Sequence, residues 1–573
     1  MSDLSSASLV DDPEEHPPLL PKTGDGPTLK SEIWGWCLYA WASEPFIVSV
    51  VGTYVPLLLE QLARDNGVRL SDLTTPCVGA KHPSPVPEPI PPTPDDPNPK
   101  HPQEHSCVLP VLNGNFNIDT SSYALYTFSF SVFVQTLVVI SMSGAADRGS
   151  YRKSLLLGFG AVGAIATMVY IFISDSNYYW ASFLAIVANS CYGAVNVCGN
   201  AFLPVLTDNH PELTRRDSDS NISRSEAKGA ISSKISGKGA SAGYISALLV
   251  QLLTMLILVK LKKGMSSKTP EIASNSSIFP IQVVIFIVGL WWFAFQLPLH
   301  WLLKPRPGPH LHMSHSPPSP IVYSTEGPKT YYTGLLVYKL TVLKAYIIYG
   351  WKTLFLATKT ARQLKDISLF LLGWFIVSDS TTTINSAAIL FARSELKMST
   401  LQLSFIGIAT MLSAILSASL IPTVIQPYWH ISTKRMFIYT IVWSSVIPFY
   451  GCLGFYFDSF GLKHPFEMYI LAVFYGFSLG GLATVSRSLF SLLIPKGKES
   501  VFFSLFSVTD KGSSILGPAV VGIIVDKTHN IRYCFYFLYA LLVVSLPVFA
   551  LVDIERGARE ALVLEHVDDN ERE

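Results

Sequence analysis

The chain has 573 residues, of which 49% are hydrophobic and only 14% are charged, and its formal net charge is +1. Soluble proteins carry about 25% charged residues, so this composition excludes an ordinary soluble enzyme, and the near-neutral charge argues against nucleic acid as a partner. We therefore expect a protein that crosses the lipid bilayer several times.

Residues 1–30 are polar and proline-rich, which predicts a disordered cytosolic tail. Within it, Glu15 is followed after three intervening residues by Leu19 and Leu20, the acidic dileucine form that clathrin adaptors bind during membrane sorting. Short patterns of this kind also arise by chance. The tail is thus a candidate sorting signal, and a clathrin adaptor is a candidate partner.

The first apolar run extends from residue 34 to about residue 59, which is longer than the roughly 20 residues that span a bilayer. Glu44 lies near its middle, where a carboxylate is costly unless it faces a partner or a water-filled cavity. Glu44 is therefore a candidate for binding substrate or a proton, and an anchoring pair with a neighbouring helix is the alternative. Pro45 lacks a backbone N–H and should leave the Trp41 carbonyl free for another donor.

Residues 61–119 are predicted to form a long loop rather than a helix, because they contain a proline-rich stretch at 82–102. Cys77 and Cys107 flank this stretch. In an oxidising lumen the two cysteines could form a disulfide, and two free thiols are an equally acceptable alternative.

Eleven further apolar runs reach membrane-spanning length, which with the first makes twelve. They lie at about 121–141, 154–174, 178–206, 239–259, 278–303, 367–391, 401–425, 436–457, 467–495, 500–525 and 531–551. Another apolar stretch, at 331–361, carries a lysine every five to eight residues, which is too costly for a span in contact with lipid. We predict an amphipathic helix on the membrane surface there, with a thirteenth span as the alternative.

Short repeats at an offset of six helices, such as Gly35-Trp36 and Gly373-Trp374, predict two similar halves. The expected organisation is an N-terminal bundle at 31–303, a central cytosolic loop at 304–366, a C-terminal bundle at 367–552 and an acidic cytosolic tail at 553–573. With both termini in the cytosol, most lysines and arginines fall on the cytosolic side, as the positive-inside rule requires. The glycosylation sequon at Asn275 then faces the lumen.

The loop between the second and third spans, residues 143–153, reads SGAADRGSYRK. It resembles the signature loop of the major facilitator superfamily, with serines at 143 and 150 in place of two glycines and with charged positions at Asp147, Arg148, Arg152 and Lys153. The resemblance implies an all-α membrane protein with twelve transmembrane helices in two six-helix bundles. The charges are candidates for a gate, since they can pair with the other half in one conformation and separate in another. The alternative is a loop that is merely basic.

Polar residues recur along one face of three predicted helices, which indicates a water-filled cavity or a paired interior. These residues are Asn189, Gly193, Asn196 and Asn200 in the fourth helix, Asp379, Thr382, Thr383 and Ser386 in the seventh, and Ser507, Asp510, Ser514 and Gly517 in the eleventh. The candidates for binding substrate or a proton are Glu44, Asn196, Asn200, Asp379, Thr382, Thr383, Asp510 and Lys511. A structural ion pair is the alternative for Asp510 and Lys511. Arg487 is expected to snorkel to the membrane surface.

Three strings resemble the fungal autophagy-related protein 22 family: GWCLYAWASEPF at 35–46, PLLLEQLA at 56–63 and SVTDKGSS at 507–514. The likeness covers roughly residues 31–552. It implies a vacuolar permease that returns neutral amino acids, such as leucine, from autophagic breakdown to the cytosol. Protons are a candidate co-substrate, and the dileucine tail agrees with vacuolar sorting.

Two alternatives remain: a transporter of another small solute, such as a peptide or sugar, and a non-transporting membrane protein needed for the breakdown of autophagic bodies. The sequence contains no phosphate-binding loop of the Gly-x4-Gly-Lys-Ser/Thr type and no HExxH motif. We therefore expect no enzymatic activity, no cofactor and no metal site.

Overall fold

The computed structural model describes residues 26–69, 73–77, 107–111, 116–216, 224–266, 278–308, 328–359, 364–398, 400–513, 516–528 and 530–561. The predicted sorting signal at Glu15, Leu19 and Leu20 and the sequon at Asn275 lie outside these residues.

Twelve helices in the described part of the chain are long and apolar enough to cross a membrane, as the sequence predicts. They are α1 (Lys30–Asp65), α2 (Ser122–Asp147), α3 (Tyr151–Phe172), α4 (Tyr178–Leu213), α5 (Arg224–Leu261), α6 (Phe279–Leu302), α7 (Lys365–Ala392), α8 (Phe405–Tyr428), α9 (Thr433–Leu453), α10 (Pro465–Ser491), α11 (Glu499–Val525) and α12 (Tyr533–Leu551). We call α1–α6 the N-half and α7–α12 the C-half.

The Gly-Trp repeat marks the same helix packing in each half. A Cβ on Gly35 would lie 2.8 Å from the backbone of Leu302, and one on Gly373 would lie 2.6 Å from the ring of Phe549. Glycine therefore lets the first helix of each half approach the last helix of the same half closely, α6 in one case and α12 in the other.

An ion pair with a buried carboxylate lies beside each of these helix contacts. Arg306 binds Glu32 through two hydrogen bonds of 2.8 and 2.9 Å, and Arg556 binds Asp366 through two of 2.6 and 2.7 Å. Both carboxylates are fully buried. A buried carboxylate needs a compensating charge or hydrogen bonds, and in each half an arginine supplies both; we call the pairs Glu32–Arg306 and Asp366–Arg556 the ionic staples.

The segment after the first span is more ordered than the predicted loop at 61–119. Helix α1 continues to Asp65, with Leu58 and Leu62 buried, and three short antiparallel strands follow: β1 (Val68–Arg69), β2 (Cys107–Val111) and β3 (Phe116–Asp119). The prediction of a continuous loop is therefore wrong for these residues, because the last turns of α1 bury an apolar face. Cys77 and Cys107 form a disulfide with their Cα atoms 6.1 Å apart.

The central segment contains one long helix, Pro328–Lys359, which we call the linker helix. It packs against α2, where Gly350 meets Gly144: a Cβ on Gly350 would lie 2.8 Å from the Ile140 carbonyl oxygen. The indole of Trp351 donates a 3.0 Å hydrogen bond to Ser141. A helix in this segment is confirmed, and its position on the membrane surface stays a prediction.

Helices α8 and α10 pack most closely through two glycines of α10. A Cβ on Gly476 or Gly480 would lie 2.1 Å from the carbonyl oxygen of Thr410 or Ala414, respectively. Small residues at such contacts let membrane helices approach each other without a cavity.

Gly480→Ala should therefore lower the free energy of unfolding by about 1–3 kcal/mol, because α8 and α10 must separate to admit the methyl group. Gly407→Ala is the matched control, since no atom lies within 4 Å of its Cβ position. The measurement is the melting temperature and yield of each variant in detergent. Equal losses in both variants would contradict this packing.

Candidate functional site

A cavity of about 320 Å³ lies between the two halves near the middle of the molecule. Both halves contribute polar side chains to it, among them Gln135, Asn196, Asn200, Ser378, Thr381 and Thr382. Its charged lining residues are Glu44, Arg487, Asp510 and Lys511. The predicted cavity is therefore present, and six of the eight residues proposed for substrate or proton line it, all except Asp379 and Thr383.

Glu44 reaches the cavity from a distorted part of α1. Residues Phe46–Tyr54 are π-helical, a conformation that is frequent at functional sites. Pro45 has no N–H to donate, and the Trp41 carbonyl instead accepts a 3.1 Å hydrogen bond from the indole of Trp291 in α6. The expectation of another donor for this carbonyl is thus confirmed.

A polar cluster closes one end of the cavity. Tyr39 donates a 2.9 Å hydrogen bond to Asn200 Oδ1, and Asn200 donates one of 2.6 Å to Asn196. Arg487 of α10 approaches the same cluster, with Nη1 3.4 Å from Asn200 Oδ1 and 3.5 Å from the Tyr39 hydroxyl. The prediction that Arg487 snorkels to the membrane surface is therefore wrong. In the sequence, a single arginine two turns from a helix end fits a position at the membrane surface and a position in the cavity equally well.

Asp510 and Lys511 enter the cavity from α11. Ser378 of α7 donates a 2.7 Å hydrogen bond to Asp510 Oδ1, and Lys511 Nζ lies 3.6 Å from Asp510 Oδ2. The ion pair considered as an alternative is therefore present, on the cavity wall.

Asp379 and Thr383 face away from the cavity. The backbone N–H of Gly517 donates a 2.9 Å hydrogen bond to Asp379 Oδ1, and Gly517 also packs against Thr383. They contact α11 in this structure rather than the cavity, and their assignment to substrate or proton binding stays a prediction. Consecutive residues are about 100° apart around a helix, so the stripe was misplaced by one position: Ser378, Thr381 and Thr382 line the cavity.

The signature loop ties the two halves together beside the cavity. Asp147 accepts hydrogen bonds of 2.6 and 2.9 Å from the backbone N–H groups of Ser500 and Val501, at the start of α11. Arg152 binds Asp147 at 3.1 Å and Glu499 at 2.8 Å. We call Asp147, Arg152 and Glu499 the latch, and the membrane face that carries them the latch face. All three side chains are buried, and the positive end of α11 adds to the attraction for Asp147.

The other two charges of the loop have different partners. Lys153 donates a 2.7 Å hydrogen bond to the His300 carbonyl in its own half, and Arg148 donates to the hydroxyl of Tyr349 in the linker helix. Of the four predicted gate residues, the structure therefore brings Asp147 and Arg152 to the contact between the halves.

Serine pairs between α5 and α10 add to the closure on the latch face. Ser232 bonds to Ser491 at 2.9 Å and Ser233 to Ser488 at 3.0 Å, and Ser236 donates a 2.9 Å bond to the Thr484 carbonyl. The latch and these bonds hold the halves together on one side of the cavity.

The family model described as "Vacuole effluxer Atg22 like" matches residues 28–562 of the chain. The chain belongs to this family. Among its relatives, Autophagy-related protein 22 of Pichia angusta is 56% identical over 98% of this chain and 99% of that protein. Autophagy-related protein 22 of Saccharomyces cerevisiae (strain ATCC 204508 / S288c) is 43% identical over 94% of each chain.

Solved structures place this Atg22-like chain in the major facilitator fold. The proton:xylose symporter XylE superimposes with a TM-score of 0.53 at 13% identity, over 93% of this chain and 99% of that one. FucP in its outward conformation gives a TM-score of 0.53 at 12% identity, over 92% and 99% of the two chains. Family and fold together make the protein a multi-pass transporter of the vacuolar membrane, with two six-helix bundles.

Weakening the latch should open the latch face. Glu499→Gln removes the negative charge from the hydrogen bond that Glu499 accepts from Arg152. A hydrogen bond to a charged group contributes about 1.5–3 kcal/mol. We expect Ser236→Cys, at a buried position between the halves, to react with a soluble maleimide at least about tenfold faster in this background.

The matched control is Lys153→Met, which removes a charge from the same loop but leaves the contact between the halves intact. Labelling rates are measured in detergent and corrected for protein without Ser236→Cys. An equal increase in labelling rate in both backgrounds, or no increase in Glu499→Gln, would contradict a role for the latch in closing this face.

Proposed function

We propose that the protein exports neutral amino acids, leucine and similar ones, from the vacuole lumen to the cytosol by alternating access. The observation that carries this proposal is a small cavity whose walls bear charges of both signs. Glu44 belongs to the N-half, whereas Arg487 and Lys511 belong to the C-half. Opposite charges suit the ammonium and carboxylate groups of a zwitterion, with Asn196, Asn200 and Thr382 as further hydrogen-bonding groups.

The remaining walls suit a neutral side chain. Ile47, Leu479, Leu482, Trp374 and Phe506 line the same cavity, and apolar walls favour aliphatic and aromatic groups. The volume lies at the lower end of the roughly 300–1,000 Å³ typical of ligand pockets, which favours a single small solute over a peptide. A sugar would leave the charged groups without ionic partners.

The direction of transport follows from the proposed orientation. The latch face is the cytosolic one if both termini are cytosolic, and the disulfide between Cys77 and Cys107 then lies on the lumenal side, where disulfides persist. The structure would then represent a state closed toward the cytosol. Substrate would enter from the lumen, and separation of the latch would release it on the other side. Protons are the candidate coupling ion, with Glu44 as their carrier.

The competing class, a non-transporting protein for the breakdown of autophagic bodies, requires neither a charged central cavity nor a latch. Charged side chains near the middle of a membrane are costly and are usually functional. Binding of a transported solute would account for them, whereas a scaffold role would not. This observation supports transport over a scaffold role.

Glu44→Gln should abolish leucine counterflow in liposomes, with at least a tenfold loss at normal protein yield, because an amide holds an ammonium or a proton far more weakly than a carboxylate does. Glu60→Gln is the matched control on the same helix, since Glu60 forms an exposed pair with Arg64. Such pairs contribute little, so its counterflow should equal that of the unaltered protein.

Wild-type counterflow in Glu44→Gln at every pH would exclude Glu44 from substrate binding. A low yield of Glu44→Gln that Lys511→Met restores would show an anchoring ion pair instead. Failure of the unaltered protein to exchange leucine would contradict the proposed substrate.

A further inference from the structure

Among the charged cavity residues of the C-half, Arg487 is the one without an ionic partner in the described part of the chain. Its Nε donates a 2.7 Å hydrogen bond to the Ala483 carbonyl, one turn earlier in α10, which fixes the orientation of the guanidinium. Its Nη1 contacts with Tyr39 and Asn200, at 3.5 and 3.4 Å, exceed the usual range of about 2.7–3.2 Å. Within the described residues, Nη2 has no hydrogen-bond partner and Arg487 forms no ion pair.

A half-buried guanidinium without a carboxylate partner is costly inside a membrane protein, because its desolvation is not repaid by an opposite charge. Lys511 differs in this respect, since Asp510 lies beside it at 3.6 Å. The cavity therefore contains one cation whose ionic partner is missing among the described residues, and its planar fork of N–H donors matches a carboxylate.

We propose that Arg487 binds the free carboxylate of the transported solute and is the residue that makes the transporter select α-amino acids over their amides and amines. This inference rests on the proposed function, and it identifies the group that binds the carboxylate end of the substrate. Glu44 in the N-half takes the ammonium and Arg487 in the C-half takes the carboxylate, so one substrate molecule touches both halves.

The spacing along α1 agrees with this pose. Arg487 lies 3.5 Å from the hydroxyl of Tyr39, and the backbone positions of Tyr39 and Glu44 are five residues, or about 7.5 Å of helix rise, apart. The nitrogen and carboxylate carbon of an α-amino acid are about 2.5 Å apart. A hydrogen bond of about 2.8 Å at each end brings the required span to about 8 Å. A dipeptide would lengthen it by a further residue, about 3.5 Å.

The test compares leucine with three analogues: leucinamide and 3-methylbutylamine, which lack the carboxylate, and 4-methylpentanoate, which lacks the amine. Dissociation constants come from the ligand-dependent melting temperature of the purified full chain. The unaltered protein should bind leucine at least tenfold more tightly than leucinamide. In Arg487→Met we expect leucine to weaken by about 10- to 100-fold and leucinamide to stay unchanged, so that the preference disappears. Arg487→Lys should retain part of it.

A structural role for Arg487 predicts a different pattern. Tyr39→Phe removes the hydroxyl that Arg487 approaches but keeps the guanidinium, so the ratio of leucine to leucinamide affinity should stay at the wild-type value. Equal weakening of leucine and leucinamide in Arg487→Met would overturn the proposal. Arg487-dependent binding of 4-methylpentanoate without binding of leucine would preserve the carboxylate site and contradict the amino-acid function. Binding of none of the carboxylates would overturn both.

Discussion

Placing a carboxylate away from water costs free energy, about 2.5–3.5 kcal/mol at the centre of a membrane helix on insertion scales. This cost constrains the arrangement of the whole structure. Five carboxylates show three ways in which the protein meets this cost. Glu32 and Asp366 are held by arginines of their own half. Asp147 and Glu499 meet at Arg152 between the halves. Glu44 faces the cavity.

This division separates what is rigid from what can move. Each ionic staple joins the first helix of a half to the segment that follows the last helix of the same half, so both persist when the halves rotate as rigid bodies. The latch joins the halves through one arginine and two backbone N–H groups, and these contacts can break together. A substrate held by Glu44 and Arg487 would contact both halves at once, so its affinity would depend on how the halves are arranged. A ligand that binds one conformation more tightly shifts the equilibrium toward that conformation.

The sequence predicted the twelve spans and the two halves, because hydropathy is a local signal, and its charged loop singled out Asp147, which lies at the contact between the halves. It also placed Glu44, since a mid-span carboxylate is conspicuous. The sequence does not fix the rotation of a helix about its axis, and Asp379 and Thr383 lie about 100° from the cavity face of α7. Arg487 could not be placed either, because its position depends on Tyr39 and Asn200, which are distant in sequence and in the other half.

The most direct test of this account is an electron cryomicroscopy structure of the full chain in lipid nanodiscs with leucine bound. We expect density for the amino acid in the central cavity, with its ammonium at the Glu44 carboxylate and its carboxylate at the Arg487 guanidinium. Leucine bound elsewhere, or bound in the cavity with neither charged end at these two residues, would contradict the account.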